Sequence, residues 1–222
     1  MNIRHHPDES VLIDYANDTL DEAAQLVVAT HVALCPQCRA AVRTFECIGG
    51  ALLETMAIAG ADTITAPSES RLGPPAAAPA RRDETMPPTD SSAAIDGVPP
   101  RVARLLRNYD DSNWKWLGPG IQWKPILPPG DDGIRAFLLK ARPGTQMPDH
   151  KHDGIEWTQV LTGAFAHEFG HYGPGDFDEA DDSVQHRPIV QRGETCICIV
   201  AMKGQLQLQG VIGKLIQPFV RF

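Results

Sequence analysis

The N-terminal part of the chain carries apolar residues at helical spacing. Positions three or four residues apart share one face of a helix, and six residues follow that spacing: Leu20, Ala23, Ala24, Val27, Val28 and His31. Thr19, with Glu22 three residues later, has the form of a capping box. We therefore expect a helix that begins there and runs toward Leu34.

Three other segments have helical signals. Asp8 or Ser10 can cap a short first helix. A third helix is expected from near Pro36, although a Gly-Gly pair weakens its middle. A fourth is expected at 98–107, where two prolines precede an apolar stretch, and it would pack back on the other three.

From about Trp114 onward the apolar period changes from 3.6 to 2. Apolar runs alternate with Gly, Pro and Asp turn signals about every ten residues, as is typical of an antiparallel barrel or sandwich. The runs lie at 134–139, 155–166, 196–202 and 206–211. The predicted fold class is α+β, with a small helical bundle followed by an all-β domain.

Composition divides the chain into the same two parts. Eight prolines lie from Pro67 to Pro100, with Ala-rich and Ser-rich runs and almost no large apolar residue. Such a segment buries too little surface to offset its chain entropy. The predicted organisation is a helical domain at 1–66, a flexible linker at 67–97, the fourth helix at 98–107 and a β domain at 108–222. Because this tether is not rigid, it does not determine how closely the two domains associate.

Negative charge is concentrated in the first domain. The whole chain has a net charge of −8, and residues 1–66 hold 3 basic and 9 acidic side chains, a net of −6. This excludes nucleic acid as a direct partner and favours a basic protein surface. No apolar run reaches the roughly 18 residues of a membrane span and the start has no apolar signal region, so we expect no membrane contact and a cytosolic location. Five cysteines in that reducing compartment favour metal ligation or free thiols over disulfides.

The first candidate metal site is the pattern His31-x-x-x-Cys35-x-x-Cys38. Residues four apart lie above one another on a helix, so His31 and Cys35 can point at one ion, which Cys38 reaches from the next turn. One nitrogen and two sulfurs suit a structural Zn²⁺ ion, which needs a fourth ligand. His6 can supply it and link the first helix to the others, with His5 as the competitor. The alternative is that the cysteines are core thiols and the histidine lies at the surface.

The second candidate site is more specific. Residues 144–163 fit the cupin pattern G-x5-H-x-H-x3-E-x6-G at every fixed position. His150 and His152 are two apart and share one face of a strand, while a turn at 153–154 returns Glu156 toward the same pocket. The pattern predicts that the β domain is a cupin, a double-stranded β-helix barrel that binds a metal.

A fourth cupin ligand is expected from a later strand. His186 is the best candidate because it follows a turn at 174–177 that resembles the one before the second cupin motif, although the gap after the turn is longer than usual. His171 and His167 are the alternatives. Three imidazoles and one carboxylate suit zinc, iron, manganese or nickel, so the ligands do not decide which divalent metal binds.

A helical module with the pattern H-x24-H-x3-C-x2-C joined to a cupin resembles the zinc-binding anti-sigma factors of the ChrR type, over almost the whole chain. The resemblance implies that the helical domain binds an extracytoplasmic-function sigma factor in a 1:1 complex. It also implies that the cupin transmits an oxidant signal, such as singlet oxygen or organic peroxide. The implied zinc ligands are His6, His31, Cys35 and Cys38, and the implied cupin ligands are His150, His152, Glu156 and His186.

Cys196 and Cys198 match a late thiol pair of that family. Residues two positions apart on a strand point to the same face and are separated by about 6.6 Å. That separation is near the upper limit for a disulfide. Two buried thiols in an apolar strand are an equally good interpretation. Cys47 is expected to be a buried thiol as well.

Two functions compete. A metal-dependent dioxygenase or isomerase would use the cupin site to activate oxygen or water, but it leaves the zinc module unexplained. An anti-sigma factor uses both parts, since acidic helices can complement the basic surface of a sigma factor. We therefore expect a regulator of transcription and not an enzyme, and we expect residues 1–107 to suffice for binding the sigma factor.

Overall fold

The computed structural model describes residues 2–59, 113–131 and 133–209. Three helices come first: α1 (Glu9–Ala16), α2 (Glu22–Leu34) and α3 (Pro36–Ala59). The strands that follow are β1 (Lys115–Gly118), β2 (Ile121–Leu127), β3 (Ile134–Ala141), β4 (His150–His152), β5 (Glu156–Thr162), β6 (Phe165–His167), β7 (Gly170–Tyr172), β8 (Phe177–Ala180), β9 (Gln185–His186), β10 (Ile189–Val190), β11 (Cys196–Lys203) and β12 (Leu206–Leu208). The predicted order of helices and then strands is confirmed. The linker at 67–97 and the fourth helix at 98–107 lie outside the described residues.

Aspartates cap the first two helices. The Asp8 carboxylate accepts a bond from the Ser10 amide at 2.9 Å, and the Asp21 carboxylate accepts one from the Ala23 amide at 2.8 Å. The capping box predicted at Thr19 is wrong, because Asp21 stands next to the helix and satisfies its free amide first. The Thr19 hydroxyl bonds the Asp14 carbonyl oxygen instead. The third helix continues through its Gly-Gly pair.

A six-stranded antiparallel sheet in the order β1-β2-β3-β11-β5-β8 forms the wall between the two parts of the molecule. Successive residues of a strand point to opposite faces, and β11 shows this clearly. Cys196, Cys198, Val200 and Met202 face the interior of the β domain, whereas Ile197, Ile199 and Ala201 pack in the cluster that includes the helices. Both faces of this central strand are therefore buried.

Helix α2 lies on the outer face of the sheet, against β3, β5 and β11. Val27 and Val28 on this helix have no solvent exposure, and they belong to one hydrophobic cluster with Ile199 and Phe177 of the sheet. In the described residues the helices and the β domain therefore share one hydrophobic cluster. The Pro-rich composition of the linker affects the entropy of the connecting chain. It does not determine whether the apolar surfaces of the helices and the sheet match.

Two smaller sheets close the β domain. One has the order β12-β4-β9 and the other β10-β6-β7. Gly163 makes the turn between β5 and β6 with φ +66°, a conformation that favours glycine. Within the described residues no helix has the length and apolar character that a membrane span requires.

Candidate metal centres

Four predicted ligands come together between the N-terminal arm and the helices. His31 lies in the last turn of α2, Cys35 is the residue that ends this helix, and Cys38 lies in the first turn of α3. His6 reaches them from the extended segment that precedes α1. The four side chains offer ligand atoms that all lie within 4.8 Å of one another.

The spacing of these atoms fits a tetrahedral metal ion. His31 Nε2 is 3.3 Å from Cys38 Sγ, and His6 Nδ1 is 3.4 Å from the Sγ atoms of both cysteines. Ligands at about 2.0 Å for nitrogen and about 2.3 Å for sulfur stand about 3.5 Å apart around one zinc ion. The Cys38 amide also donates to Cys35 Sγ at 3.5 Å, which favours negative charge on that sulfur.

Burial sets the protonation of these ligands. Desolvation lowers the pKa of His31 to about 4, so this imidazole is neutral and its lone pair is available. Desolvation, with the neighbouring Cys35, raises the pKa of Cys38 to about 12. A cation in the cluster would favour the thiolate, and its binding would release the proton.

The competitor His5 is not part of this group. Its ring packs against Tyr172 of the β domain, at a centroid distance of 4.3 Å and a tilt of 35°. Cys47 is exposed, so the expectation of a buried thiol is wrong. It lies on the solvent side of α3, well after the turn that carries Cys38.

The second cluster forms inside the β domain. His150 and His152 stand on β4, and His186 lies on β9 directly opposite His150 in the strand register. His186 Nε2 is 3.0 Å from His150 Nε2 and 3.2 Å from His152 Nε2. Imidazoles bound at about 2.1 Å to one ion lie about 3.0 to 3.4 Å apart, so the three rings also fit a metal.

Hydrogen bonding and burial prepare these rings as ligands. His150 donates from Nδ1 to the Pro148 carbonyl oxygen at 2.8 Å, which leaves Nε2 free to bind a metal. Desolvation is the main cause that lowers the pKa of all three rings, to about 4 for His152 and about 3 for His186. All three are therefore neutral near pH 7.

Glu156 lies beside this cluster but does not join it. Its carboxylate is 3.7 Å from His152 Nδ1, the ring nitrogen that faces away from the shared point, and it accepts a bond from the Thr158 hydroxyl at 3.2 Å. Burial raises the pKa of Glu156 to about 7. As a fourth ligand it stays a prediction.

The two alternative histidines have separate environments. His167 Nε2 bonds Asp178 Oδ2 at 3.0 Å, and these two form a further cluster with His186. His171 is exposed on β7 and belongs to no cluster of the described residues. Asp178 was missed by the sequence reasoning, since an Asp in a short strand carries no distinctive signal.

The late thiols border the same interior space. Cys196 and Cys198 are both buried, and their sulfur atoms are 3.7 Å apart. They line a pocket together with Glu156, Asp178 and His186. The bond to Cys196, followed by burial, raises the pKa of Cys198 well above its usual value.

Sequence reasoning also missed the contacts that join the N-terminal cluster and its arm to the β domain. Gln159 of β5 is fully buried, and its Oε1 lies 2.9 Å from His31 Nδ1. The available signal was a lone amide in the otherwise apolar run Gln159-Val160-Leu161. Asp176, in the turn before β8, accepts bonds from the amides of Arg4 and His5.

Comparison with known proteins reveals one family. The family model described as the ChrR cupin-like domain matches residues 102–207. The anti-sigma-E factor ChrR of Cereibacter sphaeroides is 39% identical over 223 residues, and the match covers 100% of each chain. The crystal structure of Rhodobacter sphaeroides SigE in complex with the anti-sigma ChrR is similar with a TM-score of 0.68 and 33% identity, over 91% of this chain and 100% of the matched chain.

Proposed function

The chain belongs to the ChrR family of anti-sigma factors, and from this membership we propose how its helices and two metal centres perform that function. It is an anti-sigma factor with a sigma factor as its 1:1 partner, and a regulator rather than an enzyme. The partner is an extracytoplasmic-function sigma factor bound in the cytosol. The full-length similarity to an anti-sigma factor carries this conclusion.

The N-terminal cluster holds Zn²⁺ and keeps the helices together. The helical part is small, and several of its core positions are Ala or Cys, so apolar burial alone stabilises it little. A structural zinc ion contributes on the order of 10 kcal/mol to such units. The ligands are His6, His31, Cys35 and Cys38.

Zinc content tests the fourth ligand. His6→Ala should lose the N-terminal zinc, because it leaves three ligands for an ion that prefers a closed set of four. His5→Ala is the matched control and should keep it, since that ring packs on Tyr172. Loss of zinc in His5→Ala with retention in His6→Ala would make His5 the fourth ligand in place of His6.

The sigma factor binds an apolar face of α3. Ile48, Leu52 and Met56 stand four residues apart on this helix and are 53%, 60% and 72% exposed. Exposed apolar side chains on one helical face are typical of a protein-binding surface. The net charge of −6 in residues 1–66 adds attraction to a basic partner.

Transcription from a promoter that depends on the sigma factor tests this surface. The full chain should block transcription by the sigma factor with RNA polymerase. Leu52→Glu should weaken binding at least about tenfold, because burial of a leucine at an interface contributes about 1.5–3 kcal/mol. Gly50→Glu lies on the opposite side of the helix, where an added Cβ meets open space; it carries the same charge and should bind nearly as wild type. Equal binding by both variants would contradict the assignment.

The cupin cluster senses an oxidant, either singlet oxygen or an organic peroxide. The three histidines hold one divalent metal, zinc, manganese, iron or nickel, with Glu156 as the fourth ligand. Cys196 and Cys198 lie beside it, where a thiol can be oxidised. Glu156 and the two thiols stand on β5 and β11, which also support α2, so a change at the metal can alter how the helices are held.

Release of the sigma factor under oxidant tests the sensor. Glu156→Ala and His186→Ala should bind the sigma factor normally at rest and release it less under oxidant. His171→Ala, an exposed histidine outside the clusters, is the control. Normal release by both site variants would contradict sensing. Turnover of a small molecule that depends on the same residues would favour a cupin dioxygenase or isomerase.

A further inference from the structure

The imidazole of His31 has a partner on each side. Nε2 faces Cys38 in the N-terminal cluster, and Nδ1 lies 2.9 Å from the amide oxygen of Gln159. Because a ring nitrogen that binds a metal must be unprotonated, the other nitrogen carries the hydrogen and donates it. The amide oxygen of Gln159 therefore selects the tautomer of His31 in which Nε2 can bind zinc.

The cupin sheet fixes this amide and the ring. Gln159 has no solvent exposure, and its Nε2 donates to the Val160 carbonyl oxygen at 3.0 Å, which directs its oxygen toward His31. The ring of Phe177 packs against His31 at a centroid distance of 5.5 Å and an interplanar angle of 75°. Both groups come from the β domain, although His31 belongs to the helices.

The arm that carries His6 is held by the same side of the sheet. Asp176 is buried, and its Oδ1 accepts bonds from the amides of Arg4 at 2.7 Å and His5 at 3.0 Å. The Phe177 amide donates to the His5 carbonyl oxygen at 3.1 Å. Three hydrogen bonds from the turn and start of β8 thus set the position of the residues just before His6.

We propose that the cupin domain completes the N-terminal zinc site, with Gln159 as the positioning residue of His31 and Asp176 as the anchor of the His6 arm. The inference rests on the zinc site proposed above. It makes zinc affinity and domain docking reciprocal: docking of the cupin raises the affinity for zinc, and zinc strengthens docking. The cupin is therefore a structural part of the zinc site as well as a separate sensor.

Cobalt in the full-length chain tests Gln159. Co²⁺ bound by thiolates has a charge-transfer band that reports the Cys35–Cys38 site and not a site of histidines and carboxylate. Gln159→Leu removes the acceptor at similar volume, and we expect a chelator to remove Co²⁺ from this site about 10- to 100-fold faster than from wild type. Gln159→Glu keeps an acceptor and should retain Co²⁺ at least as long as wild type. Gln25→Leu on α2, whose amide bonds Asp18, is the matched control and should behave as wild type.

The outcomes distinguish the positioning role of Gln159 from the existence of the zinc site. Equal rates for Gln159→Leu and wild type would overturn the positioning role, as would equal acceleration by Gln159→Leu and Gln159→Glu. A wild-type chain without the thiolate band would instead overturn the zinc site and this inference with it. Binding of the sigma factor is a separate measurement, and its result does not affect the test of Gln159.

Hydrogen exchange of the wild-type chain provides a test that needs no variant. Zinc should slow exchange of the Phe177 amide, which bonds the His6 arm, because the arm is then tied to the helices. The Ile199 amide, in the central strand of the sheet, is the internal reference. Unchanged exchange of Phe177 on zinc loading would overturn the coupling.

Discussion

Truncation of Ile199 should separate the helices from the sheet. This side chain has no solvent exposure and points from the central strand β11 into the cluster shared with α2. Ile199→Ala removes three buried carbons at about 0.8 kcal/mol each and leaves a cavity, so we expect a loss of about 3–4 kcal/mol of unfolding free energy. The loss should fall mainly on the docking of α2.

Val200→Ala is the matched control. It is the next residue of β11, is almost fully buried, and faces the interior of the β domain. It should also destabilise the chain, by about 2–3 kcal/mol, but without a cavity under the helices.

Denaturant unfolding measures both losses, and hydrogen exchange of residues 22–34 measures docking. We expect faster exchange of α2 in Ile199→Ala and near wild-type exchange in Val200→Ala. If Ile199→Ala shows the expected global loss with unchanged exchange of α2, the helix does not dock on this face in solution, and the shared core inferred here is wrong.

Three other perturbations have defined outcomes. Cys35→Ala should lose the N-terminal zinc and most of the helical circular dichroism of α1 and α3. Cys47→Ala changes an exposed thiol and should keep both the zinc and the helical signal. If Cys35→Ala also kept the zinc and the helical signal, the metal would not be structural. Gly163→Ala should lower the unfolding free energy by more than about 1 kcal/mol, because φ is +66° and a Cβ would lie 2.6 Å from the Thr195 carbonyl oxygen. Gly49→Ala in α3 should raise the unfolding free energy by about 0.5–1 kcal/mol. Calorimetry measures the sign of each change. Burial raises the pKa of Glu179, so its protonated form favours the fold: the stabilisation is full below its ordinary value of 4.5 and is lost as pH rises through the shifted pKa. Glu179→Gln should therefore lose less stability than wild type as the pH rises above 4.5, and parallel pH profiles would contradict the shift.

The sequence was sufficient where the chemistry is local. His31, Cys35 and Cys38 lie within eight residues, and helical spacing alone places them together. The cupin pair His150 and His152 follows from strand alternation in the same way. Local spacing also predicted the order of helices and strands, because periodicity records which face of an element is buried.

Contacts between distant residues were decided only by the tertiary structure. His186 meets His150 because β4 and β9 are paired in register, and no spacing rule sets that register across the four strands between them. Gln159 lies 128 residues from His31, yet its amide oxygen is 2.9 Å from Nδ1 of that ring, whose Nε2 faces Cys38. The docking of α2 on the sheet was likewise hidden, since it depends on the match of two apolar surfaces and not on the linker between them. Sequence patterns identify which side chains are prepared to bind, and packing between distant segments decides which of them meet.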